Sequence, residues 1–241
     1  MTQTPIISVK NLNKKFGDFT ANDNLNFEVY KGEIFGFLGA NGAGKTTALR
    51  ILCGLSKPTS GEINIAGFDA YKQTQLIKRH IGYMSQKFSL YEDLTVFENI
   101  RLYARIYGMK SKEIKEKTTK ILDELNFAHA RNKKIKDIPL GWKQKLAFLT
   151  AIFHNPKIVF LDEPTGGVDP ITRRQFWDLI YKAADEGITV FVTTHYMDEA
   201  EYCDRVSIMD LGKIVALDTP ENLMKTYTAK NMDEVFIKIA R

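Results

Sequence analysis

The stretch Gly39-Ala40-Asn41-Gly42-Ala43-Gly44-Lys45-Thr46-Thr47 constrains this chain more than any other. It follows a nearly unbroken apolar run, Glu33-Ile34-Phe35-Gly36-Phe37-Leu38, and leads into helical spacing from Thr46 to Leu52. An apolar run of that kind is a strand buried on both faces. Between such a strand and a helix, G-x-x-x-x-G-K-[ST] is a phosphate-binding loop. Its glycines let backbone N–H groups wrap phosphate oxygens, with no Cβ in the way and positive φ available. The helix points its partly positive N-terminus at the same oxygens. On this reading Lys45 reaches the β- and γ-phosphates of a nucleoside triphosphate, the Thr46 hydroxyl binds Mg²⁺, and Thr47 adds a phosphate hydrogen bond. A glycine-rich turn that binds nothing is the plain alternative.

Length and charge narrow the rest. The chain has 241 residues, 44% apolar and 26% charged, enough to bury a core in one large domain or a domain with an inserted lobe. Its 34 Lys and Arg against 29 Asp and Glu give a net charge of +5, too mild and too mixed to argue for a nucleic-acid partner. Cys53 and Cys203 show no CxxC spacing, which predicts a reduced, cytosolic setting. No apolar stretch reaches the roughly 18 residues of a spanning helix. Met1 to Lys10 lacks a signal-peptide core. An intrinsic membrane protein and a secreted disulfide scaffold are both unexpected.

Short apolar alternations at Ile6 to Val9, Leu25 to Val29 and Gly61 to Ile65 predict strands in the N-terminal third. From Leu94 to Phe127 the apolar residues fall at helical spacing on a charged background, through Phe97, Ile100, Tyr103 and Ile106, then Ile114, Ile121 and Leu125. Strand signals return at Ile158 to Leu161 and Thr189 to Thr194. Pro170 suits the first turn of a helix over Thr172 to Ala184. The lysine-rich stretch Arg131 to Lys136 reads as solvated surface.

Ile158-Val159-Phe160-Leu161-Asp162-Glu163 sets two acids at the end of a buried strand, expected beside the phosphate-loop strand in a parallel sheet. Asp162 would hold Mg²⁺ through water. Glu163, turned to the other side of the strand end by alternation, would polarise an attacking water. A solvated acidic pair is the alternative. His195 follows Val190 to Thr194 and reads either as a structural histidine or as a γ-phosphate contact. Gln86 stands at the entry to the helical stretch, where its amide would reach Mg²⁺ or the attacking water.

In this order and spacing the motifs resemble the ATPases of ABC transporters, over nearly the whole chain. Gln86, Asp162-Glu163 and His195 fall in the family's order, and the long interval from Lys45 to Asp162 leaves room for its helical insertion. Pro164-Thr165-Gly166-Gly167-Val168-Asp169-Pro170 resembles the loop after the catalytic acid, with Asp169 its acidic member. Phe16, in Lys14-Lys15-Phe16-Gly17, stands where the family stacks an aromatic ring on adenine. Burial under its strand is the other reading. Gly82 to Tyr91, Thr194 to Glu201 and the ending Asp233 to Ile237 resemble the drug- and polymer-exporting branch.

One segment departs from the family. Its signature, Leu-Ser-Gly-Gly-Gln or a close variant, is expected before a helix beginning near Gln144. The aligned residues are Ile138-Pro139-Leu140-Gly141-Trp142, of which Gly141 keeps its identity. Pro139 has neither hydroxyl nor N–H, and Leu140 adds a side chain where the family brings backbone close to the γ-phosphate of the opposite subunit. A similar variant occurs in one half of some tandem exporter ATPases.

The resemblance implies an α/β fold: a P-loop NTPase core of mainly parallel sheet, an antiparallel β layer and an inserted α-helical subdomain. The core is expected at residues 1–86 and 151–241 and the subdomain at 87–150. It further implies ATP and Mg²⁺ as cofactors, hydrolysis to ADP and phosphate, and no nucleic acid. The expected partners are a polytopic membrane permease and a second ATPase unit, an unequal pair being favoured over a homodimer. The expected place is peripheral, on the cytoplasmic face of the inner membrane, in a multidrug-type efflux system. Phe88 and Tyr91 would meet a cytoplasmic helix of the permease or fill the lobe's own core. Two rivals stand beside this reading. A soluble ABC ATPase acting on ribosomes or DNA usually carries two fused units or a long coiled coil, and this chain has one phosphate loop and no sustained heptads. A GTPase needs Asn-Lys-x-Asp, and Asn13-Lys14-Lys15-Phe16 and Asn132-Lys133-Lys134-Ile135 both lack the aspartate.

Overall fold

The computed structural model describes residues 4–86 and 90–239. Two long strands, β1 (Ile7–Phe16) and β2 (Phe19–Val29), open the chain as an antiparallel hairpin. Both outrun the alternations in the sequence, because register shifts between Val9 and Lys15 break the period of two that marks a strand. β3 (Ile34–Gly39), buried at every residue, leads into α1 (Lys45–Leu52). β4 (Ser60–Ile65) and the two-residue β5 (Phe68–Asp69) complete a four-stranded antiparallel sheet in the order β2-β1-β4-β5.

After α2 (Thr74–His80) and β6 (Ile81–Met84) come three helices, α3 (Val96–Ile106), α4 (Ser111–Glu124) and α5 (Leu140–Ile152). α3 starts on a capping box. The Thr95 hydroxyl accepts from Glu98 N–H while the Glu98 carboxylate accepts from Thr95 N–H. α5 starts at Leu140, ahead of the expected start near Gln144, with Pro139 as its N-cap. Proline fits there because its φ is already near −60°, here −57°, and the N–H it lacks would have no acceptor inside the helix. The chain continues through β7 (Ile158–Asp162), α6 (Pro170–Asp185), β8 (Thr189–Thr194), β9 (Arg205–Asp210) and β10 (Lys213–Asp218). α7 (Pro220–Thr226) and α8 (Met232–Ile239) follow.

The second sheet runs β10-β9-β3-β8-β7-β6, parallel except for the edge strand β10. One expectation is corrected here. β7, which ends in the acidic pair, does not neighbour the phosphate-loop strand; β8 lies between them and is hydrogen-bonded to both. Apolar runs mark strands as central without giving their order.

Alternation along the central strands divides the interior. Phe35, Phe37, Phe160 and Phe191 face the antiparallel sheet; Phe35, Phe37 and Phe191 meet Phe27 of β2 and Phe160 meets Phe191, with ring centroids 5.2 to 6.1 Å apart. Ile34, Leu38, Val159, Leu161, Val190 and Val192 face the helices and meet Ile100, Ile114, Phe148 and Trp177. Each buried ring or branched chain contributes about 1.5–3 kcal/mol, so β3 is clamped from both sides where it delivers the loop. Among the described residues no helix is long and apolar enough to cross a membrane.

Candidate nucleotide site

The backbone of residues 39–44 dictates the shape of the loop. Gly44 has a φ of 99°, and a Cβ there would come 2.3 Å from Ala21 O, so glycine alone fits between β2 and α1. Asn22 Nδ2 donates to Gly44 O at 3.1 Å, and Gly212 N, in the turn between β9 and β10, donates to Ala43 O at 3.1 Å. Gly39 and Ala43 are buried, while Ala40, Asn41 and Gly42 are exposed at the mouth. Lys45, Thr46 and Thr47 form the first turn of α1.

The Lys45 side chain is buried and folds back on the loop, donating to Gly39 O at 2.7 Å and Ala40 O at 3.1 Å. Burial pushes its pKa below the usual lysine value, opposed by the charges of Glu163 and Asp162. Asp162 lies beside it at the end of β7. Its Oδ1 accepts from Thr46 Oγ1 at 3.2 Å and from Thr193 Oγ1 at 2.7 Å. Burial raises the Asp162 pKa above the ordinary carboxylate value, against those two hydroxyls and the Lys45 charge.

Glu163 sits just past the strand with a φ of 48°, the left-handed region that costs a side-chain-bearing residue strain. The strand has ended at Asp162, so this backbone turn, not strand alternation, aims the Glu163 carboxylate. Three side chains converge on it. Gln86 Nε2 donates to Oε2 at 2.9 Å. His195 Nδ1 lies 3.0 Å from the same oxygen, a close contact without hydrogen-bond alignment. Lys45 Nζ is 3.7 Å from Oε1. Glu163 N is held in turn by Thr193 O at 3.0 Å and Thr193 Oγ1 at 3.1 Å. Residues far apart in the sequence thus meet at one carboxylate.

Thr193 is the residue that the sequence did not flag. It is fully buried on β8 and anchors both acids of β7. Its one signal was its place at the end of the strand before His195, which gains meaning only once β8 is known to neighbour β7.

The remaining expected residues lie on other elements. Phe16, at the tip of the β1–β2 hairpin, is 55% exposed with the Lys14 ammonium 4.5 Å from its ring centroid, so burial under the strand is excluded. Pro139, Leu140 and Gly141 begin α5, with Leu140 exposed and Gly141 so close to Thr172 that a Cβ would meet Thr172 Cγ2 at 2.5 Å. Asp169 caps α6, accepting from Thr172 N at 3.0 Å and Thr172 Oγ1 at 2.6 Å, and these bonds lower its pKa. Tyr91 is 57% exposed and does not fill the lobe's core. Phe88 lies outside the described residues.

Hard oxygen donors from Thr46 and Asp162 stand side by side at the loop, a set that fits Mg²⁺. A buried parallel strand, a glycine loop, a lysine at a helix N-terminus and a strand-end aspartate together define a P-loop NTPase. Residues 22–166 match the ABC transporter family, and the chain belongs to that family as an ATP-binding cassette. It is 45% identical over 240 residues to the probable multidrug ABC transporter ATP-binding protein YbhF of Escherichia coli (strain K12), covering 97% of this chain and 41% of that protein. The chain therefore spans less than half the length of that relative. To the Nod factor export ATP-binding protein I of Cupriavidus metallidurans it is 33% identical over 234 residues, 97% of this chain and 77% of the other. A dimeric ATP-binding cassette solved in a post-hydrolysis state with ADP and Pi matches with a TM-score of 0.80 at 28% identity, over 88% of this chain and 98% of the other.

Proposed function

We propose that this chain hydrolyses ATP to ADP and phosphate to power export by a separate membrane-spanning partner. The convergence of Lys45, Gln86 and His195 on the Glu163 carboxylate carries the reading. Lys45 and the N–H groups of residues 40–47 bind the β- and γ-phosphates, and Phe16 stacks on adenine. Thr46 and Asp162, with Gln86, would hold Mg²⁺, which neutralises the triphosphate. Glu163 orients a water and takes its proton, while His195 contacts the γ-phosphate. Catalysis on this arrangement is mainly positioning and charge stabilisation.

Residues 87–150 act as the helical subdomain that meets a polytopic permease beside Gln86 and Tyr91, on a core of residues 1–86 and 151–241. Two ATPase units pair head to tail, with Asp169 and the segment Pro139-Leu140-Gly141 facing the partner unit. The dimeric cassette with ADP and Pi supports the pairing, and the multidrug and Nod factor export names of the relatives support export. The assembly sits on the cytoplasmic face of the cell membrane. Neither relative is named for a ribosomal or DNA role.

The test is Glu163→Gln, which keeps shape and removes the base. ATP binding is expected to persist while turnover falls on the order of 10²-fold or more. Lys45→Ala should instead weaken binding. Hydrolysis at the wild-type rate by the glutamine variant would remove Glu163 from the mechanism.

A further inference from the structure

Glu199 has no exposed surface and no part in the mechanism above. It lies in the 3₁₀ turn Met197–Tyr202 that follows β8, and its two oxygens serve the turn after Glu163 and the last residue of β8. Oε1 accepts the hydroxyl of Thr165 at 2.5 Å, and Oε2 accepts that of Thr194 at 2.6 Å. Both threonines are 1% exposed. Thr165 belongs to the turn after Glu163, which Gly166 N closes on Glu163 O at 3.2 Å. Thr194 directly precedes His195, and its Oγ1 also accepts from Tyr196 N at 3.0 Å.

A second path runs through side chains. Arg173 of α6 places Nε 3.7 Å from Glu199 Oε1 and Nη1 3.2 Å from Asp198 Oδ2. Its guanidinium lies 4.2 Å from the Tyr196 ring centroid, and that ring lies 4.1 Å from the His195 ring. A buried carboxylate is costly unless its lone pairs are used. Here they are used to join the loop that carries Glu163 to the loop that carries His195.

We propose that Glu199 is the positioning residue of the hydrolysis centre, fixing the His195 ring against the Glu163 carboxylate. The inference rests on the ATPase reading above. It gives Glu199 no contact with nucleotide, so its loss should act on turnover rather than on binding.

Thr194→Val is nearly isosteric and cuts one arm of the tether; Thr165→Val cuts the other. In the full chain we would measure kcat, KM for ATP, Tm and the imidazole resonances of the four histidines, with His195 assigned through His195→Ala. Each valine variant is expected to lower kcat on the order of 10-fold, because small misplacements of reacting groups are expensive. KM for ATP should change less than about 2-fold, as expected for a loss confined to the transition state. The His195 resonance should move and the other three stay in place. In the His195→Ala background, Thr194→Val should cost nothing further, since no ring remains to be positioned. Serine at either position keeps the hydroxyl and should restore kcat even if valine lowers Tm. An unmoved His195 resonance with unchanged kcat overturns the proposal, as does a fully additive loss in the His195→Ala background or a serine variant that fails to rescue. A wild-type chain without ATP hydrolysis overturns the ATPase reading by itself. The His195 resonance, which needs no turnover, then still decides whether Glu199 sets the ring's place.

Discussion

His154 should set much of the acid sensitivity of this fold. Its ring follows α5 and stacks on Tyr107 at the end of α3, with centroids 3.5 Å apart and planes 4° from parallel. Nε2 faces Ile81 O at 3.1 Å, which fixes the neutral tautomer with the proton on Nε2. Nδ1 is buried without a partner, so a second proton would enter a place with no acceptor. Lys117, which donates to Phe153 O and Asn155 Oδ1 on either side of His154, adds an unfavourable charge. Burial above all pushes the pKa from 6.5 down to about 4, against the Ile81 hydrogen bond that raises it and with the Lys117 charge that lowers it further. The unfolded chain therefore takes up the proton first. The stabilisation is complete above pH 6.5 and is lost as the pH falls toward 4. At about 1.36 kcal/mol per unit the full effect is about 3.4 kcal/mol, of which about 2 kcal/mol is lost between pH 7.5 and 5. His154 is only half-buried, and solvent screening leaves roughly 1 kcal/mol. That corresponds to roughly 2–4 °C in Tm for a chain of this size. Thermal unfolding of wild type and His154→Gln at pH 7.5 and 5.0 measures it, the wild type losing more by this amount. Equal losses in the two proteins would remove His154 from the acid response.

Gly44→Ala should destabilise the chain by more than about 2 kcal/mol and abolish ATP binding, because a φ of 99° and a carbonyl 2.3 Å from the new Cβ both oppose it; unchanged nucleotide titration would contradict this. Phe16→Ala should cost about 1–3 kcal/mol of ATP affinity by calorimetry if the exposed ring stacks on the base, and an unchanged Kd would free the ring from that role. Pro139→Ser with Leu140→Gly gives α5 a side-chain cap worth about 1 kcal/mol, partly offset by the glycine. It should also raise the ATPase rate of the isolated chain, since one missing oxyanion donor costs on the order of 10²-fold. Fast, cooperative hydrolysis by the wild-type chain, unchanged by the double substitution, would refute the idea that this segment is a weakened signature.

The local half of the site was legible because each piece carries its own chemistry. The glycine loop after an unbroken apolar strand could be little else, and Asp162-Glu163 closes a run of four apolar residues that has to be a buried strand. Less legible were the elements whose patterns tertiary structure overwrites. The polar stretch Lys10 to Lys15 hides most of β1, because bulges cancel the alternation and asparagines such as Asn26, which accepts from Asn11 N at 2.8 Å, satisfy the backbone instead. The early start of α5 was concealed by its first residues, which were aligned to a family loop, and by an N-cap, Pro139, that brings no capping side chain to signal a helix start. Buried polar residues such as Thr193 and Glu199 cannot be told from solvated ones in a sequence. Their partners lie on other strands and loops, and only the fold brings those partners within reach.

The strand order supplies what the list of motifs lacked. Along the sheet the strands run β3, β8, β7, β6, and every one is parallel, so their carboxyl ends share one edge. Read across that edge, the residues just beyond each strand come in the order Lys45, His195, Glu163, Gln86, although the chain visits them as Lys45, Gln86, Glu163, His195. Had β7 neighboured β3, the acid would have faced the phosphate loop directly and His195 would have lain on its far side. With β8 interposed, Glu163 has His195 on one flank and Gln86 on the other, and a single oxygen, Oε2, meets both at 3.0 and 2.9 Å. Lys45, folded back on its loop, still lies 3.7 Å from Oε1 across the intervening strand. The crevice at the carboxyl edge of a parallel sheet is where such folds bind ligands. Here the order of its strands makes the acid the centre of the group, with His195 and Gln86 on its two flanks.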